Sequence, residues 1–134
     1  MAQDKKYKIL IVDDDNFLID MYALKFSESN FDVETALGPD IALQKLKEGL
    51  IPDIMLIDIV MPKMDGFELL EKINDDKIAP KSCKIILSNR GQQSDIERGK
   101  ELGVAGYIVK ASATPSEVIT QVREIMDKKE FNKK

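Results

Sequence analysis

Four apolar runs in this chain each lead into a polar side chain, and those side chains form one chemical set. KILIVDDD brings in Asp13 and Asp14, DIMLIDIVMP carries Asp58, CKIILSN reaches Ser88, and AGYIVKA reaches Lys110. The stretches Ile9–Val12 and Ile54–Ile57 are continuously apolar rather than alternating, as in strands buried on both faces of a parallel sheet. Open α/β sheets place their ligand sites beyond the carboxyl ends of the strands. This pattern therefore predicts one crevice that collects Asp13, Asp14, Asp58, Ser88 and Lys110.

Strand and helix patterns alternate five times. The first strand is predicted over Lys8–Asp13. A helix follows, opened by Asp14 and Asp15, with Leu18, Met21, Tyr22 and Phe26 at helical spacing. The second strand spans Phe31–Ala36, and Gly38-Pro39-Asp40 opens a helix that buries Ala42, Leu46 and Leu50. The third strand, Asp53–Asp58, stops at Met61-Pro62, because proline disfavours helix in its predecessor. A third helix starts near Asp65-Gly66 and carries Phe67, Leu70 and Ile73. The fourth and fifth strands are Lys84–Ser88 and Ala105–Val109. The last helix opens at Thr114-Pro115 with Glu117 as partner in a capping box, and buries Val118, Val122, Ile125 and Met126.

The fourth helix, about Gln93–Leu102, is the weak one. Its large apolar residues are Ile96 and Leu102, and Gly99 in its interior costs up to about 1 kcal/mol against alanine. Poorly anchored elements are the ones that open, which marks this helix as a candidate mobile output element.

At 134 residues the length is that of one domain, with a core about 8–128 and a basic, frayed tail carrying Lys128, Lys129, Lys133 and Lys134. The balance of 24 acidic against 20 basic residues, net −4, does not suit a nucleic-acid binder. Cys83 is the single cysteine, so no internal disulfide can form. The opening MAQDKKYK has no apolar h-region, and no stretch approaches the roughly 18 apolar residues of a membrane span. The expectation is a cytoplasmic protein without membrane insertion and without an effector domain of its own. The chain contains no histidine, which removes Ser-His-Asp and Cys-His catalysis, His-ligated zinc and any role as phosphohistidine donor.

The remaining chemistry is that of carboxylates, lysine, hydroxyls and a hard cation. Two like charges about 4 Å apart repel by roughly 4 kcal/mol at an effective dielectric near 20. Asp13, Asp14 and Asp58, once gathered, must hold protons or bind a cation, and an oxygen-only donor set favours Mg²⁺. Helix capping accounts for Asp15 but not for Asp13 and Asp14 together. Asp58, on a short connection after a buried strand, is a candidate nucleophile of the aspartyl-phosphate kind. Lys110 offers a fixed positive charge and Ser88 a hydroxyl donor for a transferring phosphoryl group.

With ILIVDDD, LIDIVMPKMDGFELL, IILSN and GYIVK in this order, the chain resembles a response-regulator receiver domain over about Lys8 to Lys128. The resemblance implies a flavodoxin-like doubly wound five-stranded sheet of order 2-1-3-4-5 with five helices. It implies that a histidine kinase or phosphotransfer protein phosphorylates Asp58. It further implies that Asp13 and Asp58 ligate Mg²⁺ directly, Asp14 through water, and the Val60 backbone carbonyl completes the set. Ser88 and Lys110 would contact the phosphoryl group, and Tyr107 matches the aromatic position that turns inward on activation. The readout would be a downstream protein effector or a homodimer, met through the face of the fourth helix, fifth strand and fifth helix.

Two departures from the family pattern stand out. Ala111 follows Lys110 where the family usually has proline, so a trans Lys110–Ala111 bond is predicted. Val60 and Arg90 flank the path of an attacking water, and valine cannot orient one. Two other readings compete. A haloacid-dehalogenase-like phosphatase needs an aspartate where Val60 stands, and a flavodoxin-like FMN binder would set phosphate against the acidic DDDN loop.

Overall fold

The computed structural model describes residues 6–132, with side chains through Lys129. Five parallel strands, β1 (Lys8–Asp13), β2 (Asp32–Leu37), β3 (Ile54–Ile57), β4 (Cys83–Ser88) and β5 (Gly106–Val109), form one sheet of order 2-1-3-4-5. Helices α1 (Asn16–Glu28), α2 (Pro39–Lys47), α3 (Gly66–Asp75), α4 (Gln93–Glu101) and α5 (Pro115–Asn132) make the crossovers and the closing element. A single 3₁₀ turn, Lys110–Ser112, joins β5 to α5. The expected fold class and topology are those observed, with strand ends within a residue or so of the predicted ones.

The continuous apolar runs are explained by two cores, one on each side of the sheet. Ile9, Ile11, Ile54, Leu56, Ile85, Leu87 and Ile108 face α1 and α5, while Leu10, Val12, Met55, Ile57 and Ile86 face α2 and α3. Successive strand residues alternate between cores, so neither face can be polar. In α1 the buried line is Ile19, Tyr22 and Phe26, with Leu18 and Met21 packed at its margin. Ile125 of α5 is likewise only partly buried.

The caps agree with the sequence. Asp15 accepts the Leu18 amide at 3.1 Å, Asp65 and Glu68 form a capping box on α3, and Thr114 and Glu117 form another on α5. Gly38 sits at φ +98°, a left-handed conformation that costs glycine little, directly before Pro39 at the start of α2.

Three expectations need correction. Gly99 is not a defect of α4: it is buried, and a Cβ there would stand 3.1 Å from Ile86 Cδ1 and Val104 Cγ2. The missing side chain is what lets α4 approach the sheet. Lys128 and Lys129 lie on helical turns of α5 rather than on a free tail, and Lys129 Nζ donates to the Lys81 carbonyl at 3.0 Å. Lys133 and Lys134 lie outside the described residues. The third strand ends at Ile57, so Asp58 stands on the loop just past it. No cis peptide bond occurs among the described residues, and Lys110–Ala111 is trans as expected.

Candidate functional site

Parallel strands of similar length bring their carboxyl ends to one edge, and there the polar residues meet. Asp13 is the last residue of β1, Asp58 follows β3, Ser88 closes β4, and Lys110 follows β5. The Asp58 amide still donates to the Val12 carbonyl at 3.0 Å, so the sheet ladder fixes the backbone beneath the carboxylate. Gly66 at the start of α3 presses against the same backbone: a Cβ there would lie 2.3 Å from the Asp58 carbonyl oxygen. The loop between them turns at Lys63, whose φ of +71° lies in the left-handed region.

Lys110 Nζ bridges the two buried carboxylates, 2.8 Å from Asp13 Oδ2 and 3.6 Å from Asp58 Oδ2. The outer oxygens are held by backbone amides, Asp13 Oδ1 by Asp15 at 3.0 Å and Asp58 Oδ1 by Ile59 at 2.8 Å. Asp14 is exposed, yet its carboxylate joins those of Asp13 and Asp58, with one oxygen from each within 4.8 Å of the others. Three carboxylates against one ammonium leave an excess of negative charge, and every donor is a hard oxygen. The cluster fits a divalent metal ion.

Burial raises the Asp58 carboxyl above the usual carboxylate range. Lys110 works against this, Asp13 adds to it, and hydrogen bonds from Ser88 and the Ile59 amide oppose it. For Lys110, burial works to lower the ammonium, but the hydrogen bond to Asp13 and the charges of Asp58 and Asp13 raise it overall. The lysine is thus a fixed cation. Ser88 is completely buried and its Oγ accepts the Arg90 amide at 3.2 Å.

The sequence places Tyr107, Val60 and Arg90 near this centre but gives no sign of the contacts they make or of Tyr22 beside it. Tyr22, placed among core residues, also stands in the field of Lys110 and Asp13, and burial raises its phenol. The Tyr107 hydroxyl donates to the Arg90 carbonyl, at the rim rather than in the crevice. The Arg90 guanidinium in turn pairs with buried Asp95 at 3.1 Å. A capping aspartate in the first turn of a helix gives no sign in sequence of the loop arginine it will hold. Val60 follows on the loop and is 59% exposed, open to solvent beside the crevice.

Fold and site together define a class: a doubly wound parallel α/β domain with an acidic, lysine-bridged crevice at the carboxyl edge of its sheet. The chain belongs to the response regulator receiver domain family, whose model matches residues 9–123. It is 31% identical over 124 residues to the alkaline phosphatase synthesis transcriptional regulatory protein PhoP of Bacillus subtilis, covering 92% of this chain and 50% of that protein. It is 34% identical over 119 residues to the CpxR homolog of Haemophilus influenzae, covering 89% of this chain and 50% of that one. A CheY-like receiver domain protein from Methanospirillum hungatei superposes with a TM-score of 0.84 at 28% identity, over 96% of this chain and 99% of that one. The chain spans about half the length of the two transcriptional regulators. Among the described residues no helix is long and apolar enough to cross a membrane.

Proposed function

We propose that this receiver domain accepts a phosphoryl group on Asp58 from the phosphohistidine of a kinase or phosphotransfer protein, and passes its state on through protein contacts. The observation that carries this reading is the bridging of Asp13 and Asp58 by Lys110 Nζ, at 2.8 and 3.6 Å. A carboxylate held beside a fixed cation at an open crevice is poised as a nucleophile.

In the transfer, an Asp58 carboxylate oxygen forms the new O–P bond as the P–N bond to the donor imidazole breaks. The electron pair of that bond leaves with the imidazole. Lys110 balances charge on the transferring phosphoryl group, and the Ser88 hydroxyl donates to one of its oxygens. Asp13 and Asp58, with Asp14 and the Val60 carbonyl, are the assigned holders of Mg²⁺. When bound, the cation neutralises the carboxylates and the phosphoryl oxygens. Tyr107, on β5 with its hydroxyl donating to the Arg90 carbonyl of the β4–α4 loop, is the switch residue in this reading, and the face of α4, β5 and α5 is the surface it alters. The net charge of −4 supports a protein rather than a nucleic acid as the downstream partner.

Incubation with acetyl phosphate and Mg²⁺ tests the assignment. Intact-mass analysis should show one phosphoryl group, labile to hydroxylamine, not formed when EDTA is present from the start and absent from Asp58→Asn. Labelling that survives Asp58→Asn would sink the reading. The bond should also be long-lived, since the Val60 side chain offers no polar group to orient a water and the Arg90 guanidinium is engaged by Asp95. Phosphoprotein decay in Mg²⁺ should therefore quicken in Val60→Asn. Slower decay in that variant than in the wild type would refute the lifetime argument.

A further inference from the structure

We propose that Arg90 is a positioning residue for the Ser88 hydroxyl, held in place by its ion pair with buried Asp95. The inference rests on reading Ser88 as a phosphoryl contact.

Arg90 touches three parts of the molecule at once. Its amide donates to Ser88 Oγ at 3.2 Å, its carbonyl accepts the Tyr107 hydroxyl, and its Nε donates to Asp95 Oδ1 at 3.1 Å. The other Asp95 oxygen accepts the Gln92 amide at 3.2 Å. One carboxylate, only 7% exposed, therefore grips both ends of the 90–92 turn. The Arg90 guanidinium also lies 5.8 Å from the ring centroid of fully buried Phe67, which anchors the arginine against α3.

The consequence follows from what a serine hydroxyl can do. It has one proton to give and two lone pairs to receive with. The Arg90 amide occupies a lone pair, which leaves the proton to turn toward Asp58, whose carboxyl Ser88 helps to hold down. A turn clamped through Asp95 thus keeps the hydroxyl oriented as a donor toward Asp58 and toward whatever Asp58 carries. With the clamp released, the Arg90 amide wanders and the hydroxyl loses its preset direction. Preorganised donors give up little on binding, and freed ones must be ordered first.

Two variants separate the clamp from simple damage. Asp95→Ala removes the carboxylate together with its contact to the Gln92 amide at the start of α4, whereas Arg90→Ala keeps that contact and the backbone amide and removes only the ion pair and the packing on Phe67. Each should weaken Mg²⁺-dependent binding of beryllofluoride, a phosphoryl mimic, by roughly fivefold or more, within the usual range for coupled sites. The double variant should bind no worse than the weaker single one, and neither change should matter further in a Ser88→Ala background. In the metal-free, unmodified protein, both single variants should broaden or shift the Ser88 and Arg90 amide resonances and the Tyr107 ring signals. This second readout involves no phosphoryl chemistry. Affinity within about twofold of wild type, additive losses in the double variant, or unchanged Ser88 signals would each overturn the proposal. Failure of beryllofluoride to bind the wild type in an Asp58-dependent way would count against the phosphoacceptor reading instead, and the metal-free spectra would then decide the clamp alone.

Discussion

The helices α3 and α4 cover neighbouring parts of one sheet face, α3 with Phe67, Leu69, Leu70 and Ile73 fully buried or nearly so, α4 with Asp95 and Gly99 as its buried positions. Fully burying a leucine- or phenylalanine-sized side chain is worth about 1.5–3 kcal/mol. The anchors of α4 are of another kind: an ion pair to Arg90, an exposed pair from Arg98 to Glu71 at 3.2 Å, and the Arg98 guanidinium 4.7 Å from the Phe67 ring centroid. Exposed pairs contribute about 0–1 kcal/mol and cation–π contacts about 0.5–2 kcal/mol. Apolar burial tolerates small slides, while an ion pair holds only at its own geometry. A helix anchored by directional contacts therefore has a defined resting place and a low cost of leaving it. Contacts of this kind predict that α4 opens before α3, which packs its Gly66 against the Asp58 backbone.

The largest effect expected from this contrast is at Leu70. Leu70→Ala should cost about 2–5 kcal/mol in urea-unfolding free energy, as cavities in packed cores do. No truncation of an exposed α4 side chain should approach it. Amide exchange sharpens the point: the α3 amides should exchange at rates set by global unfolding, while those of α4 exchange through a cheaper local opening. Equal protection in the two helices would break the comparison.

Gly99→Ala comes next. Alanine would favour the helix by up to about 1 kcal/mol, but overpacking typically costs about 1–3 kcal/mol. The new Cβ meets the ends of Ile86 and Val104 at 3.1 Å and the Tyr107 ring at 3.4 Å, all of them side chains that can give a little. A net loss of about 1 kcal/mol is expected, together with a shifted Tyr107 ring signal. A gain in stability would mean that α4 has room to slide without resistance.

The weakness of α4 was legible in the sequence, since QSDIERGKEL offers few apolar residues at helical spacing. The cause assigned to Gly99 was not. Propensity treats a helical glycine as a loss, and only the neighbouring sheet shows that its bareness is the fit. The site was legible for a different reason. Continuous apolar runs identify parallel strands, parallel strands share an edge, and so Asp13, Asp58, Ser88 and Lys110 converge by topology alone. What surrounds them depends on loop geometry. Arg90 meets Asp95 and Tyr107 meets the Arg90 carbonyl through turns whose paths no periodicity encodes. Tyr22 is a core residue by its helical spacing, and it also stands in the field of the site, which no spacing encodes.

The smallest effects test whether the α3–α4 contact is held by charge or by the ring. Arg98 serves both, pairing with Glu71 while covering Phe67. Glu71→Gln removes the charge partner alone, and since both side chains are nearly half exposed it should cost no more than about 0.5 kcal/mol. That loss should vanish in 1 M salt, where the screening length falls to about 3 Å. Arg98→Ala removes the ring contact and the packed stem as well, and should cost about 1 kcal/mol, of which a part survives high salt. If the two substitutions cost the same at every salt concentration, the Phe67 contact contributes nothing and α4 is held to α3 by surface charge alone. If Glu71→Gln is silent while Arg98→Ala is not, the buried Phe67 ring of α3 is what grips α4 on this side, and the Arg98–Glu71 pair need not hold for the two helices to stay together.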